Sequence, residues 1–541
     1  MAAAAGRGGG HHAGRGGGRP HGNSPKAKGN RGGSEPRRRP QGDQAGAQRR
    51  GQGREKGAHG SGGRQRPARS GPGPRFTDQA RLCAYEAVTA VREDGAYANL
   101  ALPPLVEAHR LDQRDAAFAT ALTYGTLRLQ GRYDAVIAQC VDRPLQQVDP
   151  RVLDLLRLGT HQLLSMRVPS HAAVSATVDL SRLVVGRGAA TFVNAVLRRV
   201  SQQDAQVWLD RLGQEDDPLS ALATRGSHPL WVVQALRQAL IDNGRDPAEL
   251  EALLEADNAE PQVTLCARPG LVTPQALAKE VLRTTGLRPR AGDLSPYALV
   301  LEGGDPGRIA SVRRSRAGVE DEGSQLVALL LSETPLQGRD ERWLDMCAGP
   351  GGKAALLGAR AEQRGAHLVA SEVAPHRADL VDDSVRALSE QAVEVRCADG
   401  RSYGTQEPGA YDRVLVDAPC SGLGSLRRRP ESRWRRSPQD VVELAGLQRE
   451  LLVSALKAVR KGGLVAYVTC SPHVLETRLV VEDVTRALER EGLGTELLHA
   501  GDAATRVAPR PPAGADRQLL QLWPHLDGTD AMFCALLRRT R

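Results

Sequence analysis

The sequence predicts a chain of several domains: an N-terminal all-α bundle, a small α+β connector and a C-terminal doubly wound α/β domain. Three observations carry this. From Phe76 to about Gln203 apolar residues recur at helical spacing. Across residues 204–317 helical and strand-like segments mix. Across residues 318–541 short apolar strands alternate with amphipathic helices, a rhythm that requires a largely parallel sheet. A length of 541 residues is itself more than one ordinary domain holds.

Ahead of these lie residues 1–75, mostly Gly, Arg, Ala, Pro, Gln and Ser, with no aromatic residue before Phe76. Such a segment cannot bury enough apolar surface to offset its chain entropy, and disorder is expected. It carries 17 Lys/Arg against 3 Asp/Glu, a net charge of +14, so the remaining chain is mildly acidic although the whole is +10. A flexible arm of this kind suits non-specific phosphate binding. Hydrophobic residues make up 40% of the chain and aromatics 3%, so the cores must be built mainly from Leu, Val and Ala. Eight cysteines show no C-x-x-C pair, which argues against structural zinc and a disulfide framework and for reduced thiols. No apolar run reaches the ~18 residues of a membrane span, and the first residues lack the apolar core of a signal peptide. A cytoplasmic, metal-free monomer is expected.

In the helical region (76–203), Thr77-Asp78 caps a run whose apolar positions are Ala80, Leu82, Ala84, Tyr85, Val88 and Val91. Further runs lie near 112–128, 132–141, 150–165, 171–185 and 190–201, giving a bundle of about seven helices. In the connector, Ser227-His-Pro-Leu-Trp231 opens a helix reaching about Asn243, with Pro229 in its first turn, and a short helix covers 248–255. Strands at 263–267 and 298–301 flank a helix at 274–286. His228 has no evident polar partner and reads as a structural histidine.

The α/β domain (318–541) opens with a helix at 323–331 and a strand at 343–347. The turn Ala348-Gly-Pro-Gly-Gly352 and a helix at 354–364 follow. Its glycines let the backbone approach a ligand, and the helix start offers free N–H groups. This is neither a P-loop, since Cys347 and Ala354 stand where that motif needs Gly and Ser/Thr, nor the G-x-G-x-x-G fingerprint. Strands at 367–371, 393–397, 413–416 and 463–468 come next, with helices at 375–389, 438–460 and 475–491, and strands at 518–523 and 531–537 close the sheet. Cys347, Glu372, Asp399, Asp417 and Cys470 all fall at or just past strand C-termini, the edge where open α/β sheets bind ligands.

These residues suggest a chemistry. Glu372, about 20 residues past the glycine turn, is placed to accept hydrogen bonds from a ribose diol, and Asp399 to hold an adenine amino group. Without a phosphate-binding consensus, S-adenosylmethionine fits better than NAD or ATP. Cys420, in Asp417-Ala-Pro-Cys-Ser-Gly422, and Cys470, in Thr469-Cys-Ser-Pro472, end successive strands beside an acid. Paired thiols there have a use. C5 of cytosine is too weak a nucleophile to accept a methyl group until a thiolate adds to C6. A carboxyl group near N3 stabilises that adduct, and the base must leave its stack to meet both groups. Arg427, Arg428, Arg429, Arg433, Arg435 and Arg436 crowd the loop after Cys420, with Trp434 among them, and are expected to grip RNA phosphate or stack on bases.

Asp345-Met-Cys-Ala-Gly-Pro-Gly-Gly-Lys353, Asp417-Ala-Pro-Cys-Ser-Gly422 and Thr469-Cys-Ser471 resemble motifs I, IV and VI of the RNA cytosine-C5 methyltransferases. In the helical region, Asp115-Ala-Ala-Phe118, Tyr124-Gly-Thr-Leu-Arg128, Leu156-Arg-Leu-Gly159 with Gln162, and Phe192-Val-Asn-Ala-Val-Leu-Arg198 resemble the RNA-binding fold of the antitermination factor NusB. Together residues 76–541 resemble the RsmB (Sun/Fmu) family, which methylates small-subunit ribosomal RNA. The resemblance implies a Rossmann-like S-adenosylmethionine-dependent domain. Cys347, Ala348, Gly349, Pro350, Gly351, Gly352 and Lys353 would cradle the methionine end of the cofactor, and Glu372, Asp399 and Asp417 would complete its site. Cys470 would be the nucleophile, Asp417 the assisting acid, and Cys420 the group that aids product release. DNA cytosine methyltransferases place their nucleophile at the position of Cys420, so experiment must separate the two. Transfer RNA as substrate, or an RNA-binding antitermination factor without activity, are the alternatives; the intact cysteines and glycine turn argue against the latter. Two departures stand out. The family pattern has Glu-Asn where this chain has Glu476-Thr477, and Asp-Gly-Phe-Phe where it has Asp530-Ala-Met-Phe533.

Overall fold

In the computed structural model, residues 78–541 are described. The basic arm and the Phe76-Thr77 helix entry expected from sequence lie outside them. Asp78 caps the first helix, its carboxylate accepting from the Arg81 N–H at 3.1 Å.

Seven α-helices build the first bundle: α1 (Gln79–Glu93), α2 (Ala98–Ala108), α3 (Gln113–Arg128), α4 (Gln130–Ala138), α5 (Pro150–Leu164), α6 (Ser170–Val184) and α7 (Arg187–Val200). Helix α2 goes beyond the runs expected from sequence, because Pro103 and Pro104 sit inside it and read as a break. Close packing explains two glycines of the quoted segments. A Cβ on Gly125 would lie 2.1 Å from the His161 ring, and one on Gly159 2.5 Å from Leu197, so α3–α5 and α5–α7 touch where only glycine fits. The charged core of the bundle is paired. Arg92 and Arg157 both reach the buried Asp154, at 2.7 and 3.3 Å, and Gln162 accepts from Arg81 at 2.7 Å.

Residues 204–317 contribute to two hydrophobic clusters. Helices α8 (Ala205–Leu212), α9 (Pro218–Gly226), α10 (Leu230–Asp242) and α11 (Leu250–Asn258) come first. Val232, Leu236, Leu240 and Leu254 pack together with Leu423, Leu426 and Trp523 of the C-terminal domain. His228 is buried and bonds the Gly226 carbonyl at 2.7 Å, in keeping with its structural reading. A four-stranded antiparallel sheet follows, made of β1 (Val263–Ala267), β2 (Arg290–Ala291), β3 (Ala298–Leu301) and β4 (Ala317–Val319) in the order β2-β3-β1-β4. Helix α12 (Pro274–Thr285) supplies Leu277 and Val281 to its core, and the short α13 (Ala310–Arg313) leads into β4.

The C-terminal domain begins with α14 (Glu322–Glu333) and β5 (Arg342–Asp345), then runs α15 (Gly352–Arg364), β6 (His367–Glu372), α16 (Pro375–Val385), β7 (Val393–Cys397), α17 (Tyr403–Gln406) and β8 (Tyr411–Asp417). It continues through α18 (Ser432–Arg435), α19 (Pro438–Ala458), β9 (Val459–Thr469), α20 (Arg478–Arg490), β10 (Thr495–Leu498), α21 (Ala500–Val507), β11 (Leu520–Gln521), α22 (Pro524–Asp527) and β12 (Phe533–Arg539). The main path of the sheet is β10-β12-β9-β8-β5-β6-β7. The five strands from β9 to β7 are parallel, whereas β12 runs antiparallel to β9 and β10. Alternation along the strands feeds two cores. Trp343, Leu415, Leu464, Ala466 and Val468 face one layer, and Leu344, Val414, Val416, Val465 and Tyr467 the other. Sequence reading missed β10, a short edge strand paired only with β12.

The chain enters the parallel sheet at β5 and moves outward to β7. It then returns to β8 and moves the other way to β9. The crevice at that reversal, at the carboxyl ends of β5 and β8, is where such sheets bind ligands.

Candidate active site

A cavity of about 510 Å³ opens along those strand ends, and Cys347, Gly349, Pro350, Lys353, Glu372, Asp399, Asp417, Cys420 and Cys470 all line it. Ala348, Gly351 and Gly352 shape the turn from behind. Gly351 caps α15 at φ +107°, and a Cβ there would lie 2.5 Å from the Ser384 side chain and 3.0 Å from the Val381 backbone. At Gly349 a Cβ would lie 2.3 Å from Glu372 Oε2. The turn is thus pressed against the end of β6 and the second half of α16.

Carboxylates and cations pair along the cavity. Glu372 is buried; its Oε2 accepts from the Gly349 N–H at 3.2 Å and lies 3.4 Å from Arg377 Nη2. Its Oε1 accepts from the Ala374 N–H at 3.1 Å. Asp399 is half-exposed and held by Arg401, whose Nη2 donates at 2.6 Å; that pairing keeps its carboxyl below the ordinary range. Lys353 Nζ donates to Asp417 Oδ2 at 2.9 Å and to Ser324 Oγ at 3.4 Å. Burial works against the Lys353 charge, but Asp417 and Glu320 outweigh it and the ammonium is stabilised. Behind the turn, Asp345 Oδ1 accepts from the Cys347 N–H at 3.3 Å while Oδ2 has no partner among the described residues. Burial, with Asp417 beside it, pushes Asp345 up to about 7. Burial likewise lifts Glu320 to about 7, against the pull of Lys353 and Arg268.

This donor set fits an adenosyl sulfonium better than a dinucleotide. A side chain at position 349 would collide with Glu372, and the Glu372 and Asp417 carboxylates that line the cavity with the turn suit a cationic sulfonium. Glu372 keeps lone pairs for a diol.

The two cysteines meet. Cys420 Sγ and Cys470 Sγ are 3.2 Å apart. The hydrogen bond from Cys420 lowers the Cys470 thiol; burial opposes this, and Lys353 adds to it. The same bond, together with burial, drives Cys420 well above its ordinary value. Cys347 is also driven well above, by burial and Asp345, so of these three cavity thiols only Cys470 is tuned toward the thiolate.

What registers the pair is Glu476, a residue sequence reading noted only as the neighbour of a departure. Fully buried, it accepts from the Ser421 N–H at 2.7 Å, from the Ser471 hydroxyl at 2.6 Å, from Gln448 at 3.2 Å, and from the Ser421 hydroxyl. One carboxylate therefore ties the residue after Cys420 to the residue after Cys470. Gly424 adds a backbone bridge, its N–H donating to the Cys470 carbonyl at 2.9 Å and its carbonyl accepting from the Ala531 N–H at 2.8 Å. A Cβ on Gly424 would lie 2.4 Å from the Ala531 oxygen.

The arginine-rich loop departs from expectation. Arg433 is fully buried and donates to the Ser227 carbonyl at 3.1 Å, the Asp257 carbonyl at 3.2 Å and Asn258 Oδ1 at 2.7 Å. Arg427 is buried and donates to the Gly528 carbonyl at 3.0 Å and Asp530 at 3.2 Å. Arg428 pairs with Asp530 at 3.1 Å and Asp321 at 2.5 Å, and Arg435 donates to the carbonyls of Val91, Gly95 and Ala96. The expectation of phosphate contact is revised for Arg427, Arg433 and Arg435, whose guanidinium groups bind the protein itself. Trp434 packs its ring edge over Gly131, where a Cβ would lie 2.4 Å away, so it too helps dock the bundle. Arg428, Arg429 and Arg436 line the cavity.

Residues 334–538 match the family model of the 16S rRNA methyltransferase RsmB/F, and residues 78–202 that of the NusB family. A putative methyltransferase of Mycobacterium tuberculosis is 48% identical over 475 residues, covering 87% of this chain and 99% of that one. The ribosomal RNA small subunit methyltransferase B of Pseudomonas syringae is 34% identical over 81% of this chain and 93% of its own. The probable counterpart in Bacillus subtilis is 30% identical over 85% and 98%. The chain belongs to the RsmB/F methyltransferase family. The crystal structure of PH0851 shares the fold, with a TM-score of 0.68 and 22% identity over 85% of this chain and 98% of that one.

Against the RsmB/F pattern, Thr477 turns its hydroxyl back to the His473 carbonyl at 2.9 Å and closes its own turn. Asp530, in the other divergent segment, lines the cavity, and its N–H donates to Asp321 at 3.1 Å. No helix among the described residues is long and apolar enough to cross a membrane.

Proposed function

We propose that this RsmB/F methyltransferase transfers a methyl group from S-adenosylmethionine to C5 of a cytosine in small-subunit (16S) ribosomal RNA, through a covalent bond between Cys470 and C6. The observation that carries the reading is the pair of thiols 3.2 Å apart at the ends of β8 and β9, in one cavity with Asp417. The glycine turn 347–353, Glu372 and Asp399 would hold the cofactor, which when bound supplies an electrophilic methyl group on a sulfonium.

The residues divide the work. Cys470, as thiolate, adds to C6, so the C5–C6 π electrons become available at C5. Asp417, oriented by Lys353, meets the pyrimidine edge at N3 and stabilises the charge that addition places there. Once C5 carries the methyl group, its proton must leave. Cys420, adjacent to Cys470, gives its own thiol proton to water once Cys470 is bonded to C6, then takes the C5 proton as a thiolate, directly or through water, and so ends as the thiol that donates to the departing Cys470. The C5–H pair then restores the C5–C6 double bond as the Cys470–C6 bond breaks. The hydrogen bond between the thiols lowers the cost of a thiolate at Cys470 both before addition and on release.

Methyl transfer from labelled S-adenosylmethionine to unmodified small-subunit ribosomal RNA and to transfer RNA tests the reading. Transfer to ribosomal RNA, lost in Cys470→Ala, with a trapped protein–RNA adduct in Cys420→Ala, supports it. An active Cys470→Ala overturns the nucleophile assignment, and labelling of transfer RNA alone overturns the substrate.

A further inference from the structure

Two cations of the loop after Cys420 differ from the rest. Arg429 and Arg436 line the cavity yet make no side-chain hydrogen bond or close ion pair with a described residue. Arg429 is exposed, and its guanidinium carbon lies 5.1 Å from the centre of the Tyr97 ring. Tyr97 belongs to the helical bundle, immediately before α2, and lines the same cavity as the cysteines. The tyrosine is fixed from behind. The Arg435 guanidinium lies 5.2 Å from the same ring and donates to the carbonyls of Val91, Gly95 and Ala96. The Ala98 N–H donates to the buried carboxylate of Glu431 at 3.2 Å. Residues 91–98 of the bundle are thereby stapled to residues 431–435 of the methyltransferase domain.

The carboxylates of the cavity wall, Glu372, Asp399, Asp417 and Asp530, are each paired with a cation, Arg377, Arg401, Lys353 and Arg428, so those charges are already answered within the protein. A polyanion brought to such a site needs compensating positive charge at the rim, and a guanidinium without a carboxylate partner supplies it. Stacking on an aromatic face orients that guanidinium and leaves its N–H fork free. We infer that Arg429 grips a phosphate of the RNA strand beside the target base, and that Tyr97 is the positioning residue through which the helical bundle aims it. The inference rests on the RNA reading above and deepens it, since the N-terminal domain then takes part in substrate engagement at the catalytic cavity itself.

Binding of an unmodified small-subunit ribosomal RNA transcript, titrated across salt concentration, tests this with the full chain. Arg429→Ala removes one phosphate contact and reduces the slope of log K against log[salt] by about 0.7, with binding weaker on the order of fivefold. Tyr97→Ala produces a loss in the same direction, Tyr97→Phe restores wild-type behaviour, and the double variant Tyr97→Ala/Arg429→Ala is no weaker than Arg429→Ala alone. Should Tyr97→Ala fail to fold, Tyr97→Leu keeps the bulk and removes the aromatic face. An unchanged slope in the tyrosine variant, or losses that add in the double variant, overturns the inference. The two readings fail separately: absence of methyl transfer by wild type sinks the activity, whereas an unchanged salt slope sinks the grip.

Discussion

Glu476→Ala removes the acceptor that registers both cysteine loops, and its cost can be worked from the hydrogen bonds. The Ser421 and Ser471 hydroxyls lie 3.1 Å apart and can pair with each other once the carboxylate is gone. Gln448 keeps the Pro419 carbonyl at 2.8 Å. The Ser421 N–H has no substitute, and an orphaned buried donor costs about 1–3 kcal/mol. The void left by the side chain adds about 1–2 kcal/mol. A loss of roughly 2–5 kcal/mol follows, concentrated in residues 419–424 and 470–476. Glu476→Gln keeps an oxygen for the Ser421 N–H and turns its amide toward hydroxyls able to accept, at a cost of about 1 kcal/mol. Hydrogen exchange at the Ser421 amide reads this local term, with protection falling about 30- to 5,000-fold in the Ala variant. Methyl transfer reads the consequence, and is expected to rank wild type, then Gln, then Ala. An Ala variant that transfers at the wild-type rate with Ser421 still protected refutes the registering role.

Three further outcomes are expected. Alkylation of Cys470 by iodoacetamide should persist below the ordinary thiol range, because the Cys420 hydrogen bond and Lys353 favour the thiolate; in Cys420→Ala the profile should shift to higher pH, and an unmoved profile would count against the shared proton. Burial raises Asp257 to about 7, so its contribution to stability is complete below the unfolded value of about 4 and is lost as pH rises through about 7. Asp257→Asn should therefore flatten the change in thermal midpoint between pH 5 and pH 8, by a term on the order of 1–4 kcal/mol, and an equally steep Asn variant would refute the assignment. Arg433→Met should lower the thermal midpoint and expose the segments that follow α9 and α11 to protease, with about 2–5 kcal/mol lost, since the buried Ser227 and Asp257 carbonyls and Asn258 lose their donor; unchanged protection would show that the clamp lies elsewhere.

Much of the site could be read before any coordinates, because it depends on period and position. Strand ends follow from alternation, and Cys347, Glu372, Asp399, Asp417 and Cys470 sit where successive apolar runs stop. The turn at 348–352 could be recognised because no residue larger than proline occurs in it. Glu476 was opaque for the opposite reason. Its partners, Ser421, Gln448 and Ser471, come from separate elements, and no local pattern distinguishes a buried carboxylate with four donors from a solvated one. Helix α2 was hidden by two prolines, and β10 by its four-residue edge position with one neighbour.

The arginine loop marks the boundary of such reading. A run of cations looks the same whether phosphate or carbonyl oxygen answers it. Here the nearest acceptors of Arg433 are the Ser227 and Asp257 carbonyls and Asn258, from the ends of α9 and α11, some 175 to 206 positions upstream. Burial lowers its guanidinium to about 10, so it stays charged near neutral pH and the site must supply acceptors on several sides. Those acceptors exist only when the α9 and α11 ends sit against α18. The loop that carries Cys420 is therefore ordered by the domains that precede it. Cys470 depends on that same loop through Glu476 and Gly424. The helical layers thus bear on the cysteine pair through a continuous path of hydrogen bonds and packing, from the Arg433 acceptors to the Cys420 loop and on to Cys470. Docking of the N-terminal region and alignment of the two thiols are parts of one arrangement, and a change that loosens the first should be felt in the reactivity of the second.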